Sequence, residues 1–331
     1  MSKHKILSAY FLIMLIFVFT GCGNKEEAKK VDLDKVEEME NLPQEPLTLR
    51  IGLIPEQDIR KMAARYEPLA NYLSEKLNLK VTLVYLDNYA EVCDKFIYKQ
   101  LDAAFFGSFS YVLTKARAQI EPIARPDYQG TSTYRGLIVV RRDSKISNVA
   151  QMKGKRLALV HQATFAGYLF PLLYFQEQGI KYLEGYFSQV KFYGGHDSAI
   201  FALLKGQADI ATPKDLVYQR LIKENPDLEK KLEVLAVSEP VPSNALCVSK
   251  DLDSNLKRKL KDILINLHKD PNSLPILESL GGVTQFIETK DEDYRHLYET
   301  IRVLGIDLNT YPYYERPDMG FNRGADVREA K

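Results

Sequence analysis

Hydrophobic and polar positions after residue 46 alternate between two periodicities. Runs with strand character are followed by segments whose apolar residues recur at helical spacing. The pairs are LTLRIGLIP with ARYEPLANYLSEKL, KVTLVYL with YAEVCDKFIY, and LDAAFFG with SYVLTKAR. This alternation predicts an α/β protein. About 285 residues follow position 46, which is enough for two modest domains.

One pattern of the first half recurs in the second. YAEVCDKFIYKQLDAAFFG and HDSAIFALLKGQADIAT each combine a polar start, a helix, a short turn and a strand that carries an aspartate, Asp102 or Asp209. Units of the βαβ type share such a pattern for packing reasons alone, and the pattern also suggests two similar lobes.

Two extended stretches predict the connections between these lobes. They are YRGLIVVRRDSKI and LEVLAVSEPVPSNALCVSKDL, and the second is interrupted by Pro240 and Pro242. Two extended crossings between two α/β lobes form a hinge with a cleft beside it. Ligands of such folds bind at the carboxyl ends of strands, where helices begin, so the cleft is the expected binding site.

The segment FYGGHDSAIFALLKGQADIA, residues 192–211, places unusual residues at a helix start. Its apolar residues predict a helix that begins near His196, preceded by two glycines and followed by a short strand. A helix amino terminus carries unpaired N–H groups and a partial positive charge, so His196 and Asp197 there are candidate residues of an anion site. An ordinary capped helix with an incidental histidine is the alternative.

Three further loops have the same character. They are FFGSFSYVL, YQGTSTYRG and VHQATFAGYLFP, and the candidate residues in them are Ser108, Thr131, Ser132, Thr133, Tyr134 and Thr164. Serine and threonine are ordinary helix caps, so each loop alone is a weak signal. Together these loops offer hydroxyl and N–H groups with almost no acidic side chains, which favours binding of a tetrahedral oxyanion through oriented hydrogen bonds.

The amino-terminal 21 residues have the pattern of a secretion signal. Positive residues precede the apolar run ILSAYFLIMLIFVF, and a small residue precedes Cys22. This resembles a bacterial lipoprotein signal and predicts a lipid on Cys22, although Phe19 stands where leucine is usual. The run has about 14 residues, fewer than the roughly 20 of a membrane-spanning helix, so a transmembrane anchor is the second interpretation.

The charges and the cysteines of the chain limit which partners and which cross-links are expected. Residues 23–46 are charged and poor in aromatic residues, which predicts a solvated tether, with a short helix at VDLDKVEEME as an alternative. Without residues 1–21 the chain keeps 43 of its 45 Lys and Arg against 44 Asp and Glu, so no nucleic-acid partner is expected. Cys93 and Cys247 are interpreted as core residues, with a disulfide as the alternative.

The order and spacing of these segments over residues 47–300 resemble the periplasmic phosphate, phosphite and phosphonate receptors of ABC importers. The segments that carry the resemblance are GLIPEQ, YEPLANYL, LDNYAEV, LDAAFFGSFSYVL, YRGLIVVR, GYLFP, GGHDSAIFALLKGQADIA and SEPVPSNAL. The resemblance implies a type II periplasmic-binding-protein fold, in which two doubly wound α/β lobes are joined by two crossing strands. It also implies that Tyr89, Tyr134, Thr164 and His196 surround the phosphorus oxyanion.

One segment departs from the family pattern. Where the family commonly has Ser-Thr-Ser-Gly, this chain has Thr164-Phe165-Ala166-Gly167, so two hydroxyl groups are missing. Each lost partner is worth roughly 1 kcal/mol, which predicts weaker or redirected binding. Either Thr131 to Thr133 replace the missing donors, or Phe165 indicates a ligand with an apolar body.

The predicted organisation follows from these observations. It comprises a signal peptide over 1–21, a lipidated tether over 22–46, lobe 1 over 47–136 and 242–310, lobe 2 over 137–241, and an extended tail over 311–331. We expect a monomeric solute-binding lipoprotein in the cell envelope, anchored by lipid and facing the periplasm or the cell exterior. Its expected partners are a small oxyanion and an ABC permease, and no cofactor or metal is predicted.

The residues allow two other interpretations of function. The His196-Asp197-Ser198 run suggests a hydrolase, but the chain has no G-x-S-x-G elbow, H-E-x-x-H motif or Cys-His metal spacing, so an enzyme is not expected. A receptor of the same fold that reports to a membrane sensor is the alternative. For His196 we expect a pKa near 6.5, anion affinity that rises as the pH falls, and little contribution to stability.

Overall fold

The computed structural model describes residues 48–313. The predicted signal peptide, the tether with Cys22, and residues 314–331 of the predicted tail lie outside these residues. In chain order the strands are β1 (Thr48–Leu53), β2 (Lys80–Tyr85), β3 (Ala103–Phe106), β4 (Ile120–Asp127), β5 (Thr133–Tyr134), β6 (Leu137–Arg141), β7 (Arg156–Leu159), β8 (Gln189–Phe192), β9 (Ile210–Ala211), β10 (Leu232–Val237), β11 (Val241–Pro242), β12 (Ala245–Ser249) and β13 (Gln285–Glu288).

Helices separate most of these strands. They are α1 (Ile59–Leu77), α2 (Glu91–Ile97), α3 (Ser108–Lys115), α4 (Phe170–Glu177), α5 (Leu183–Tyr186), α6 (His196–Leu204), α7 (Asp215–Glu224), α8 (Asp227–Lys231), α9 (Ser254–Asn266), α10 (Leu274–Ser279) and α11 (Arg295–Val303), and a π-helix spans Phe165–Leu169. None of the helices between residues 48 and 313 combines the length and the apolar character that crossing a bilayer requires.

The strands form two sheets of similar construction. In the first sheet β2, β1 and β3 are parallel neighbours, and β12, antiparallel to β3, is followed by β4 and β13. In the second sheet β8, β7 and β9 are parallel neighbours, and β6, antiparallel to β9, is followed by β10. Each sheet thus places its first parallel strand between the second and the third, which confirms the predicted α/β fold of two doubly wound lobes.

The internal repeat extends to side-chain contacts. Asp102 accepts hydrogen bonds from the backbone N, Nε and Nη2 of Arg50 at 2.8, 2.9 and 2.9 Å. Asp209 accepts the same three bonds from Arg156 at 3.0, 3.0 and 2.8 Å. Each aspartate precedes the third parallel strand of its sheet and binds an arginine of the central parallel strand. Both lobes therefore fix the order of these two strands by the same aspartate–arginine interaction.

The two lobes are joined through a short strand pair. β5 and β11 are antiparallel, with Tyr134 opposite Val241 and Thr133 opposite Pro242. The crossings are shorter than the predicted stretches, because LIVVR and LEVLAV form β6 and β10 of the second sheet. The residue limits of the lobes given above stay predictions.

Both described cysteines are core residues without a disulfide. Cys93 lies in α2 and Cys247 in β12, and both are free and buried. Burial raises the pKa of both thiols, so they are protonated near neutral pH.

The carboxyl-terminal residues of the described range pack on the first lobe. Tyr313 donates to Oδ1 of Asp94 in α2 at 3.0 Å, and its ring lies 4.6 Å from the guanidinium of Arg117. Nη2 of Arg117 donates to the carbonyl oxygen of Tyr311 at 3.0 Å. Residues 311–313, predicted as the start of an extended tail, are therefore tied to α2 and to the end of α3.

Candidate functional site

A small cavity lies where the carboxyl ends of the parallel strands of both sheets face each other. The side of the first sheet provides Glu56 after β1, Tyr89 after β2 and Gly107 after β3, and the second provides Thr164 after β7, His196 after β8 and Lys214 after β9. Ile54, Tyr134, Ala163, Phe165, Ala166 and Asn244 complete its lining. Its volume of about 10 Å³ is close to that of one water molecule, so these side chains are nearly in contact across the cleft.

His196 is fixed as a neutral donor. It is the first residue of α6 and only 3% exposed, and its Nδ1 accepts the backbone N–H of Lys214 at 3.1 Å. Burial lowers the pKa of His196 to about 3. Because Nδ1 is an acceptor in a neutral ring, the proton lies on Nε2, which is available for a ligand. The expectation of a pKa near 6.5 is therefore wrong. The expected minor contribution to stability stays a prediction, and the buried bond to Lys214 argues against it.

A second buried histidine stands behind the cavity. Nδ1 of His161 accepts the backbone N–H of Ala163 at 3.0 Å, and the His161 ring lies 5.6 Å from that of Tyr89. Burial lowers the pKa of His161 to about 4. Both histidines are therefore neutral near pH 7 and both carry the proton on Nε2.

A buried ion pair crosses the cavity. Nζ of Lys214 lies 2.8 Å from Oε1 of Glu56 and 3.0 Å from Oδ1 of Asn244, and it is 4.2 Å from the centre of the Tyr134 ring. Burial by itself raises the pKa of Glu56, but the charge and hydrogen bond of Lys214 outweigh it and lower that pKa to about 2. The four polar loops carry almost no acidic groups, but the lining of the cavity adds Glu56, whose carboxylate balances the charge of Lys214.

Two buried tyrosines, Tyr89 and Tyr134, line the cavity. Tyr89 is 2% exposed, and its hydroxyl is buried without a hydrogen-bond partner among the described residues. Burial first, then the nearby charge of Glu56, raises the pKa of Tyr89 well above its ordinary value, so the phenol keeps its proton. The pKa of Tyr134 is raised mainly by burial, although hydrogen bonds from Ser108 oppose this.

Thr164 directly precedes the π-helix that carries the family departure. Its Oγ1 donates to the carbonyl oxygen of His161 at 2.6 Å, so its hydroxyl proton is already used inside the loop and only its oxygen can take part in a ligand contact. Phe165 and Ala166 line the cavity beside it. The first N–H groups of a helix have no intrahelical acceptor, so the backbone here still offers donors.

Several predicted residues lie beside the cavity and do not line it. Ser108 donates its hydroxyl to the carbonyl oxygen of Pro242 at 2.6 Å. Asp197 accepts from the backbone N and Oγ of Ser198, at 2.7 and 3.4 Å, as a local cap. Thr131, Ser132 and Thr133 are partly or fully exposed, the first two in the turn before β5 and Thr133 as its first residue, and none of the three lines the cavity.

The most informative residues of the cavity carry weak sequence signals. Glu56 and Lys214 are charged residues in loops, which are usually solvated, and Asn244 follows a single serine, so no recognisable motif marks them as ligand residues. Only their position after a strand could have identified them. Glu56 follows the first parallel strand of its sheet and Lys214 the third of its sheet, just as His196 follows the second parallel strand of the same sheet as Lys214. Gly194 has a φ of +75°, so the first glycine before His196 serves the backbone turn.

The cavity is suited to binding. Its lining includes residues of both lobes that carry neutral or cationic donors, namely His196, Lys214 and Tyr89. Oriented donors that are withdrawn from water bind an oxyanion strongly. The part of the chain that the structure describes contains no group of three or more His, Cys, Asp or Glu side chains placed to hold a metal ion.

Comparison with known proteins places the chain in a family. Residues 51–294 match the family model described as the periplasmic substrate-binding protein of the phosphonate ABC transporter. The chain is 26% identical over 271 residues to the phosphate-import protein PhnD of Mycolicibacterium smegmatis, which covers 78% of this chain and 81% of that protein. It is 24% identical over 238 residues to the phosphonates-binding periplasmic protein of Escherichia coli, which covers 70% of each chain.

A solved structure supports the fold. The PhnD1 protein of Prochlorococcus marinus, determined in complex with methylphosphonate, aligns with a TM-score of 0.71 at 22% identity over 79% of this chain and 99% of that one. The sequence match, the repeated sheet topology and the cleft agree with one another. The chain therefore belongs to the periplasmic substrate-binding proteins of ABC phosphonate transporters.

Proposed function

We propose that the cavity between the lobes captures a small phosphorus oxyanion, namely phosphate, phosphite or a phosphonate, and that the protein delivers it to the permease of an ABC importer. His196 Nε2, Lys214 Nζ and the Tyr89 hydroxyl donate to the oxyanion, and Tyr134 and the backbone at Phe165 complete its surroundings. The lobes separate to admit the ligand and close over it, because the donors come from both sheets and the cavity in the structure has about the volume of one water molecule.

The unpartnered Tyr89 hydroxyl carries this proposal. A buried hydroxyl without a partner costs free energy, roughly 1–3 kcal/mol, and such groups are usually satisfied by water or a ligand. Tyr89 lines the same cavity as His196 and Lys214, and its hydroxyl is the part without a partner. The names of relatives agree in ligand class, since they refer to phosphate import and to phosphonates.

The chain is proposed to act at the outer face of a membrane. Cleavage before Cys22 and a lipid on that cysteine leave the binding domain on a tether of about 25 residues. The anchor keeps the receptor near the permease. Mass spectrometry of the protein purified from cells that express the full chain measures the lipid directly, and replacement Cys22→Ala removes it.

Titration calorimetry of the purified protein tests the ligand. Phosphate, phosphite and methylphosphonate form the panel, and sulfate and acetate are the controls. We expect at least one phosphorus compound to bind in the micromolar range or below. A panel in which only acetate or another non-phosphorus compound binds contradicts the proposed ligand.

Paired tyrosine variants locate the site. Tyr89→Phe removes only a hydroxyl and is expected to weaken binding about 10-fold or more, because a hydrogen bond to a charged group is worth about 1.5–3 kcal/mol. Tyr294→Phe is the matched control, since Tyr294 also has a buried hydroxyl without a partner among the described residues but does not line the cavity. Equal affinity in the two variants rejects this site.

A further inference from the structure

A second cavity adjoins the first. The two share Glu56, Lys214 and Asn244, so the buried ion pair stands between them. The second cavity continues between the lobes toward Arg65 of α1 and Arg220 of α7. It is therefore an extension of the same cleft with a separate set of charged groups.

Arg220 has no hydrogen bond or ion pair within residues 48–313, and its Nη1 is fully buried. Its guanidinium lies against Gly281, where Nη2 is 3.5 Å from the position that a Cβ atom would take. Burial, and after it the like charge of Arg65, lowers the pKa of Arg220. A buried guanidinium nitrogen without a partner is costly unless something else supplies an acceptor.

The charges around Arg220 are unbalanced. Arg65 donates from Nη2 to Oε1 of Gln57 at 2.9 Å, which satisfies one of its nitrogens without neutralising its charge. Glu56 is the carboxylate in the lining of this cavity, and it is bonded to Lys214 at 2.8 Å. Three cationic side chains thus share one carboxylate that is already paired. This arrangement favours the arrival of an additional anionic group.

Two phenols lie beside these arginines. Tyr66 and Tyr128 line the second cavity, and burial raises the pKa of both, to about 12 for Tyr128. Both phenols are therefore protonated, and each can donate a hydrogen bond to an anion held by the guanidinium groups. The second cavity offers donors from α1, α7 and the end of β4.

We propose that this cavity receives a second acidic group of the ligand, a carboxylate or a second phosphoryl group bound by Arg220 and Arg65. The proposal rests on the proposed function, since the first acidic group is the phosphorus oxyanion beside His196. A guanidinium binds two oxygens of such a group at once, which an ammonium does not. The preferred ligand class is then a short molecule with an acidic group at each end.

Calorimetry tests the proposal on the protein purified from cells that express the full chain. It compares one-headed ligands, which carry a single acidic group, with two-headed ligands, which carry an acidic group at each end. The probes are methylphosphonate, phosphonoacetate, 3-phosphonopropionate and pyrophosphate. We expect at least one two-headed probe to bind about 10-fold or more tightly than methylphosphonate. Arg220→Gln is expected to remove that advantage and to leave the affinity for methylphosphonate within about twofold.

Two further variants make the test specific. Arg142→Gln is the matched control, because it removes an arginine from the same lobe whose side chain is 54% exposed and outside both cavities. Arg220→Lys is expected to keep only part of the tighter binding of two-headed ligands, since it keeps the positive charge but loses the two parallel N–H donors of the guanidinium. Arg220→Gln is expected to keep or raise the melting temperature, whereas a structural arginine would lower it.

The outcomes separate this proposal from the proposed function. It is overturned if methylphosphonate binds but no two-headed probe binds more tightly, or if Arg220→Gln weakens both ligand types equally. If phosphorus compounds fail while succinate or glutarate binds through Arg220, the second subsite stands and the phosphorus ligand is wrong. If none of these compounds binds the wild type, both proposals fail.

Discussion

The backbone N–H of Lys214 donates to Nδ1 of His196, and this one bond of 3.1 Å joins the starts of two neighbouring helices. It determines the tautomer of the imidazole and at the same time places the lysine whose Nζ reaches Glu56. A cation, a neutral donor and a carboxylate are thereby fixed relative to one another. The geometry of the candidate site depends on His196 twice, as a ligand donor and as an acceptor for the backbone.

Replacement His196→Ala is expected to weaken oxyanion binding roughly 10- to 150-fold, because it removes a donor to a charged group. Since the pKa of His196 is about 3, its charge does not change between pH 5.5 and 8. The ratio of wild-type to variant affinity, measured by calorimetry across that range, is therefore expected to be constant. The ligand's own titration near pH 6 cancels in this ratio.

The same variant is expected to lose stability without ligand. It leaves the Lys214 N–H buried and unpaired, which costs about 1–3 kcal/mol in the free energy of unfolding. Urea denaturation of the ligand-free protein measures this, with His296→Ala as the control because the His296 side chain is 45% exposed. An affinity ratio that rises steeply below pH 6.5, with unchanged stability, contradicts this view of His196.

The two buried histidines predict a pH dependence of stability. Their pKa values fall from 6.5 in the unfolded chain to about 3 for His196 and about 4 for His161. Between these limits the unfolded state binds more protons than the folded state, so stability is complete above pH 6.5 and is lost as the pH falls below it. Each histidine is expected to cost about 2 kcal/mol between pH 7 and pH 5.

Urea denaturation at pH 7 and pH 5 measures this loss. His161→Gln and His196→Gln are each expected to reduce the difference between the two pH values, and His296→Gln to leave it unchanged. Below pH 4.5 protonation of Glu56 in the unfolded chain adds to the loss, since its pKa in the folded state is about 2. A wild-type stability that is flat from pH 7 to pH 5 would refute the assigned burial of both imidazoles.

The fold could be predicted from the sequence because the local hydrophobic patterns and the repeat between the two halves indicate the same architecture. Runs such as LDAAFFG are buried on both faces of a sheet, and so they are apolar without interruption. The repeat was visible in Asp102 and Asp209, although their matching bonds to Arg50 and Arg156 were not. Those bonds join residues 52 and 53 positions apart, which a local pattern does not specify.

The site could be predicted from the sequence only in part, because some of its residues depend on partners that are distant in the sequence. His196, Tyr89 and Tyr134 were identified through helix starts and the family resemblance, and the structure brings them together. Glu56 and Lys214 were missed because a charged residue is buried only when a distant partner is present, and here the partner is 158 positions away. Thr131 to Thr133 resembled a donor run, but a two-residue strand turns that segment away from the cavity.

The buried ion pair predicts opposite effects of its two members on affinity. Lys214→Met is expected to weaken oxyanion binding about 100-fold or more, because it removes the cation and leaves Glu56 as a repelling charge. Glu56→Gln is expected to strengthen binding on the order of tenfold, since it removes a carboxylate that competes for Lys214. Calorimetry with phosphate or methylphosphonate measures both.

The double variant Glu56→Gln with Lys214→Met separates these effects from a general loss of structure. Each single change leaves one buried group without its partner and is expected to cost about 3–5 kcal/mol of stability, and the double change less than their sum. Lys61→Met is the control, because Lys61 pairs with Glu224 at 3.8 Å with both side chains about half exposed. Weaker binding in Glu56→Gln would argue that the carboxylate itself contacts the ligand.

Tyr311 connects the lobes on the other side of the cavity, and its hydroxyl is expected to slow ligand release. It donates to the carbonyl oxygen of Gln162, beside His161, at 2.9 Å, while its ring packs against Phe109 of α3. Tyr311→Phe removes this bond, worth about 0.5–1.5 kcal/mol, so the dissociation rate is expected to rise roughly 2- to 12-fold. Stopped-flow measurement of ligand release gives this rate.

Tyr313→Phe is the matched control for this effect, because the Tyr313 hydroxyl donates to Asp94 at 3.0 Å within the first lobe. The two changes remove the same group from tyrosines two positions apart, and only one of the two bonds to Gln162 and Asp94 crosses the cleft. If binding requires closed lobes, only loss of the crossing bond lowers the closed fraction and with it the residence time of the ligand. Equal release rates in the two variants would show that the Tyr311 bond does not hold the lobes together.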